Sequence, residues 1–164
     1  MSLANILKQS DIFFELSATQ LDLIAAVCHE RRCKANDLIF EENAASDELY
    51  VIVQGEVEIQ VDPALVGLEV PGSGGAVTIA TLRRGQSFGE IALVDEGLRS
   101  AAARCSANST HLIVIPRDKL IQLCETYPQL GFRLMRNLAA DLALKIRSTD
   151  LRIREQLLYG NRRR

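Results

Sequence analysis

The sequence predicts an α+β fold: an antiparallel β-roll of the double-stranded β-helix or jelly-roll kind, with N-terminal helices and a long C-terminal helix. Between about residues 37 and 116, short β-like runs follow one another without a long helix between them, which favours a roll or barrel. Helical apolar spacing precedes this region and returns after Pro116. At 164 residues the chain has the size of one domain, and we expect residues 1–164 to form a single one.

Two helices are predicted before the roll. The first is Leu3–Gln9, and the second runs from Gln20 to about Glu30. Thr19 is placed to cap the second helix, whose apolar positions recur at the spacing of one buried helix face.

Six strands are predicted within the roll. A hairpin separates two of them at Gly55-Glu56, and the proline- and glycine-rich stretch 62–75 is interpreted as a flexible excursion between strands. The six runs are 38–41, 48–53, 56–61, 76–83, 101–105 and 110–115.

The C-terminal part, about residues 117–158, is predicted to be helical. A long final helix begins at Gln129 and reaches about Leu158, so that it measures about 45 Å at 1.5 Å per residue. Such a helix outruns a small domain, and we expect two copies to associate along it as a homodimer. Its continuous stripe, apolar but for one threonine, consists of Leu134, Leu138, Leu142, Ile146, Thr149, Ile153 and Leu157.

Composition excludes several classes of protein. The net charge is −2, the apolar fraction is 48%, and no apolar run reaches the length of a membrane span. The four cysteines are scattered, as in a protein with reduced thiols. We therefore expect a cytoplasmic protein without a membrane partner.

Catalytic and metal-binding arrangements are not apparent. His29 and His111 stand alone, so we expect no bound metal, no cofactor and no enzymatic activity. The terminal run Arg162–Arg164 is interpreted as a solvated tail, too short for specific nucleic-acid binding by this chain alone.

One short segment has the composition of an anion site. Gly89 opens a short apolar helix, whose first N–H groups lack partners within the helix and attract negative charge. Arg99 lies nine residues after Glu90 and is followed by Ser100, and a guanidinium bonds two phosphate oxygens at once. Small residues from Ala101 onward let a ligand lie against the chain. In isolation, the same residues also fit a loop with a solvated ion pair.

Glu90 is unexpected beside a phosphate, because a carboxylate repels an anion. It fits if it accepts a hydrogen bond from a sugar hydroxyl some ångströms away, which indicates a nucleotide. The chain has no Gly-Lys-Ser/Thr run of a triphosphate loop, and one arginine suits a singly charged phosphodiester.

The string 88–93, Phe-Gly-Glu-Ile-Ala-Leu, followed by Arg99-Ser100-Ala101, closely resembles the phosphate-binding cassette of cyclic-nucleotide-binding domains. That family includes kinase regulatory subunits, gated channels and the catabolite-activator/FNR regulators. The hairpin 50–59 and the strand 37–42 resemble the family's β-roll, and the resemblance extends from about Ile12 to Leu157.

The resemblance implies roles for individual residues. Glu90 would accept from the ribose 2′-hydroxyl, Arg99 would pair with the cyclic phosphate, and Ser100 with nearby backbone N–H groups would complete the cradle. Leu98 departs from the proline found in many members. The implied ligand-binding residues are Gly89, Glu90, Ile91, Ala92, Arg99, Ser100 and Ala101.

The choice of base is less strongly indicated. In the family, a serine after the arginine occurs in cAMP-binding bacterial members, so Ser100 favours cAMP over cGMP. Lys145 and Thr149 are the polar residues nearest the helical stripe and are candidates to meet the base. Thr149 could equally set the register of a helix dimer.

The leading interpretation is a sensory domain that binds cAMP, or else cGMP, and transmits binding through its C-terminal helix to a dimer partner or effector. One alternative is a structural dimerisation module with an empty pocket or a different ligand. Another is the sensory part of a catabolite-activator/FNR-type transcription regulator without its DNA-binding domain.

Overall fold

The computed structural model describes residues 2–63, 75–95 and 97–160. Most of the predicted excursion 62–75 and the arginine tail 162–164 lie outside these residues. The helical elements are α1 (Leu3–Leu7), a 3-10 helix (Asp11–Phe13), α2 (Ala18–Ala25), a second 3-10 helix (Glu90–Leu93), α3 (Arg117–Thr126) and α4 (Pro128–Gly160).

Eight described strands form two four-stranded sheets, and every strand pair is antiparallel. The first sheet has the order β1-β8-β3-β6 and the second the order β2-β7-β4-β5. The predicted α+β class with a β-roll is confirmed. The strands are β1 (His29–Cys33), β2 (Leu38–Phe40), β3 (Glu48–Gln54), β4 (Glu56–Val61), β5 (Val77–Arg83), β6 (Ser87–Phe88), β7 (Ala102–Cys105) and β8 (Thr110–Pro116).

The helix before the roll is shorter than predicted. Ser17, not Thr19, caps α2: its side chain accepts from the backbone N–H of Gln20, and the Gln20 side chain accepts from the N–H of Ser17. This reciprocal capping box satisfies donors that the first helical turn leaves unpaired.

The predicted end of that helix at Glu30 is wrong, because β1 begins at His29 and pairs with β8. The predicted start of the roll at about residue 37 is therefore also too late. Inter-strand hydrogen bonds to β8 decide the conformation here, and they come from a part of the chain some eighty residues away.

The hydrophobic core has two parts. One lies inside the roll and includes Tyr50, Phe88 and Leu112. The other packs α1, α2, α3 and the first half of α4 against the β3–β8 face of the roll. The long helix is thus anchored at one end, since Leu130, Leu134 and Leu138 are fully buried.

The rest of α4 runs along the open side of the roll. Asn137 donates hydrogen bonds to the carbonyls of Ile12 and Phe14, which ties the helix to the N-terminal segment. Arg152 donates to the carbonyl of Ile79 on β5 at 2.7 Å. The helix therefore covers one mouth of the space between the sheets. Within the described residues, no helix is both long and apolar enough to cross a membrane.

Candidate functional site

A cavity of about 650 Å³ lies between the roll, the second 3-10 helix and α4. Its size is in the usual range for pockets that bind small molecules. The cavity is lined by predicted site residues that lie far apart in the sequence. They are Gly89, Glu90, Ile91, Arg99, Ser100, Ala101, Lys145 and Thr149.

Gly89 begins the 3-10 helix Glu90–Leu93 with a left-handed backbone, φ +78°. A β-carbon at this position would lie 2.6 Å from Nη1 of Arg99 and 2.9 Å from the carbonyl oxygen of Glu48. Only glycine combines this backbone conformation with this approach. Ala92 belongs to the same short helix.

Arg99 is buried, with 4% of its surface exposed. Its Nη2 donates to the Glu48 carbonyl at 2.8 Å, and its Nη1 donates to the Gly89 carbonyl at 3.3 Å. The guanidinium carbon lies 4.1 Å from the centre of the Phe40 ring, a favourable cation–π distance. The side chain is thus fixed by backbone carbonyls and an aromatic face.

The Nε donor of Arg99 is also buried, and it has no hydrogen-bond partner among the described residues. Nor does Arg99 form an ion pair with a carboxylate within that part of the chain. Burial lowers the pKa of Arg99 from its usual value, although the charges of nearby groups, Glu90 among them, oppose this. A buried cation with an unused donor calls for an anionic partner.

The ring beneath the arginine is itself held in an aromatic cluster. Phe40, Tyr50 and Phe88 lie with ring centres 5.0–6.0 Å apart. Tyr50 donates a hydrogen bond to the Glu48 carboxylate, and its pKa is raised by burial and by this bond.

Glu90 is also buried, with 6% exposed. Its Oε1 accepts a hydrogen bond from Lys145 Nζ at 2.8 Å. Lys145 also lies 2.8 Å from the Asp141 carboxylate and 3.3 Å from the Ser87 carbonyl. Burial alone would lower the pKa of Lys145, but the two carboxylates outweigh it and raise the pKa overall.

The predicted base-contacting residues line the cavity, but each already has a partner. Lys145 is engaged by Glu90, and the Thr149 hydroxyl donates to the Lys145 carbonyl one turn earlier. Ser148 and Arg152 line the same wall and were missed in the sequence. Their positions three and seven residues after Lys145 could have indicated this shared face.

Phe40 and the carbonyl of Glu48 were likewise missed, because nothing in the local sequence connects strands β2 and β3 with Arg99. Among the described residues, no group of three His, Cys, Asp or Glu side chains is placed to hold a metal ion. The described lining of the cavity therefore includes the buried cation Arg99, two carboxylates paired with Lys145 (Glu90 and Asp141), hydroxyls and apolar walls.

Comparison with known proteins identifies a family. Residues 30–127 match the family model described as the cyclic nucleotide-binding domain. The Cyclic AMP receptor protein of Thermus thermophilus is 29% identical over 147 residues, 90% of this chain and 62% of that protein. A cGMP-dependent protein kinase of Drosophila melanogaster is 28% identical over 131 residues, 79% of this chain and 13% of the kinase.

The fold also matches solved structures. A cyclic nucleotide-binding domain from Methylobacillus flagellatus superposes with a TM-score of 0.77 at 25% identity, over 94% of this chain and 82% of that one. The chain spans less than two thirds of the curated relatives above. Because the family model covers more than half of its length, the chain belongs to the cyclic nucleotide-binding domain family.

Proposed function

We propose that this domain binds cAMP in preference to cGMP and acts as a regulatory module rather than an enzyme. The single observation on which this rests is the buried Arg99, fixed in the cavity with Nε unpaired. A cyclic phosphate would neutralise this cation and supply the missing acceptor. Ser100 and the backbone N–H groups from Gly89 to Ala92 would complete the phosphate cradle.

The negative charge of Glu90 near Arg99 fits a ribose rather than a second phosphate. The Glu90 carboxylate lines the same cavity as Arg99 and would accept from the ribose 2′-hydroxyl. The base would then lie toward α4, near Thr149 and Arg152. Ser100 favours adenine by the family resemblance, while the relatives include proteins named for cAMP and for cGMP.

The output would pass through α4 to a second copy of the chain. Beyond the buried first half, the helix exposes large apolar side chains that a partner helix would cover. These are Leu144, Ile146, Leu151, Ile153, Leu157 and Leu158, each 49–69% exposed. Ligand binding would bias the position of this helix, and with it the dimer or an effector contact.

A structural module with an unused pocket is less well supported, because leaving Arg99 buried without an anion costs stability for no purpose. The cytoplasmic location and the lack of specific DNA binding by this chain alone stay predictions.

A thermal unfolding series with cAMP, cGMP and 5′-AMP tests the proposal. At about 100 times the dissociation constant, linkage adds about 2.7 kcal/mol, which corresponds to a shift of about 5–10 °C for a chain of this size. We expect the largest shift with cAMP, a smaller one with cGMP and the smallest with the doubly charged, non-cyclic 5′-AMP. Equal shifts with all three, or none, would contradict it.

A further inference from the structure

We infer that Lys145 is a positioning residue of the ribose site: it neutralises Glu90 and orients the carboxylate, so that recognition of the 2′-hydroxyl depends on α4 being docked. This inference rests on the proposed function, since it concerns the same cavity. It gives Lys145 a role different from the base contact predicted from the sequence.

The ammonium group of Lys145 is surrounded by oxygen atoms of the protein. An ammonium group has three N–H donors. Its three oxygen neighbours are Glu90 Oε1 at 2.8 Å, Asp141 Oδ2 at 2.8 Å and the Ser87 carbonyl at 3.3 Å. The hydrogen bonds to Glu90 and Ser87 use two of these donors, and Asp141 Oδ2 adds an ion-pair contact without a hydrogen bond. Lys145 is thus held by its two carboxylates rather than placed to meet a base.

Lys145 also compensates the charge of the Glu90 carboxylate. The Glu90 side chain is only 8% exposed, and a buried carboxylate without a counterion is strongly unfavourable. Its charge also reaches Arg99, whose pKa it helps to raise. Without Lys145, Glu90 would therefore offset part of the attraction of Arg99 for a phosphate. With Lys145 in place, part of this offset is removed, since the ammonium is shared between Glu90 and Asp141.

Lys145 further fixes the orientation of the Glu90 carboxylate. Lys145 occupies Oε1 of Glu90, whereas Oε2 has no hydrogen-bond partner within the described part of the chain. The carboxylate is thus fixed through one oxygen and can accept through the other. A fixed acceptor discriminates between a sugar hydroxyl and its absence better than a mobile one.

The consequence is a link between ligand and helix. Lys145 belongs to α4, whereas Glu90 belongs to the short helix after Gly89. A movement of α4 away from the roll would withdraw Lys145 and leave Glu90 uncompensated and free to turn. Ribose binding and α4 docking then favour each other, as linkage requires of coupled equilibria.

The test compares cAMP with 2′-deoxy-cAMP on wild type, Lys145→Met and Lys145→Arg, by calorimetric titration. We expect Lys145→Met to weaken cAMP binding by about tenfold or more and to bring the affinity ratio of the two nucleotides close to one. Lys145→Arg, which keeps the charge, should restore much of the cAMP affinity and much of the preference for cAMP over 2′-deoxy-cAMP. Lys119→Met, at an exposed lysine on α3, is the matched control and should leave the ratio unchanged.

Three results would overturn the inference. Tighter cAMP binding by Lys145→Met would show that the lysine competes with the ribose for Glu90. An unchanged ratio of the affinities for cAMP and 2′-deoxy-cAMP would show that Lys145 has no effect on ribose recognition. Equal affinity of the wild type for the two nucleotides would show that Glu90 does not read the 2′-hydroxyl. If the wild type binds neither nucleotide, the proposed function itself fails. Thermal melts of each variant establish that the fold is intact.

Discussion

At the scale of single residues, the site depends on a buried arginine that forms no ion pair within the described residues. Arg99 is held by two carbonyl oxygens and an aromatic ring, and none of these cancels its charge. Burial accordingly lowers its pKa, which marks an unfavourable placement. Unfavourable placements of this kind are concentrated at functional sites.

Gly89→Ala should damage the site through this arginine. The new methyl group would meet Nη1 of Arg99 at 2.6 Å and the Glu48 carbonyl at 2.9 Å, so the guanidinium has to move. We expect a loss of stability of about 1–3 kcal/mol from the strained backbone together with a fall of about tenfold or more in cAMP affinity. Chemical denaturation and calorimetry measure the two effects.

Gly85→Ala is the matched control for backbone strain. Gly85 also lines the cavity and has a positive φ, +87°, but its added β-carbon would approach only the Gln9 carbonyl, at 3.3 Å, and no atom of Arg99. It should lose stability without losing affinity. Parallel losses of affinity in both variants would show that strain alone, rather than displacement of Arg99, explains the effect.

The residues of the cassette could be predicted because they lie close together in the sequence. The glycine, the carboxylate and the arginine fall within eleven positions, and each suggests its chemistry by type. The partners that fix Arg99 could not be predicted in this way, since Phe40 and Glu48 are brought to it by the pairing of distant strands. Lys145 lines the cavity, but helical spacing alone does not reveal its hydrogen bond to Glu90.

At the scale of elements, α4 has two halves with different surroundings. Its 33 residues span about 50 Å. The predicted stripe is buried at Leu134 and Leu138 and exposed at Ile146, Ile153 and Leu157. The first half therefore belongs to the core, and the second half has apolar surface to offer a partner.

Ile146→Glu combined with Ile153→Glu should convert a dimer into a monomer. Both side chains are about half exposed or more, so the domain should still fold, whereas two carboxylates within a helix seam are costly. Sedimentation equilibrium measures the mass. Lys119→Glu, which adds charge of the same sign on α3, should remain dimeric. A dimer that persists in the double variant would contradict the predicted seam.

Helices with strong apolar periodicity were predicted closely, whereas short elements were not. β6 has only two residues, too few to show any period, and its pairing with β3 defines it. His29 and Glu30, the first two residues of strand β1, are assigned by the sequence pattern to the preceding helix, because the strand is polar and the strand that pairs with it, β8, lies some eighty residues away. Local pattern therefore predicts the elements that stabilise themselves, and strand pairing determines the others.

At the scale of the whole molecule, side-chain hydrogen bonds connect one helix to three regions of the chain. They join α4 to the N-terminal segment through Asn137, to the cassette through Lys145 and to strand β5 through Arg152. Under the proposed function, ligand binding at the cassette would alter contacts along this helix. A tenfold bias between two helix positions requires only about 1.4 kcal/mol of the binding energy.

The most direct test of the cavity as a cyclic-nucleotide site is a calorimetric titration of cAMP into the wild type and into Arg99→Ala. We expect saturable binding to the wild type and a loss of affinity of about a hundredfold or more in the variant, because a desolvated charge pair is removed. Arg154→Ala, at an exposed arginine of α4, should bind as the wild type does. Unchanged cAMP affinity in a folded Arg99→Ala protein would contradict the assignment of the cavity as a cyclic-nucleotide site.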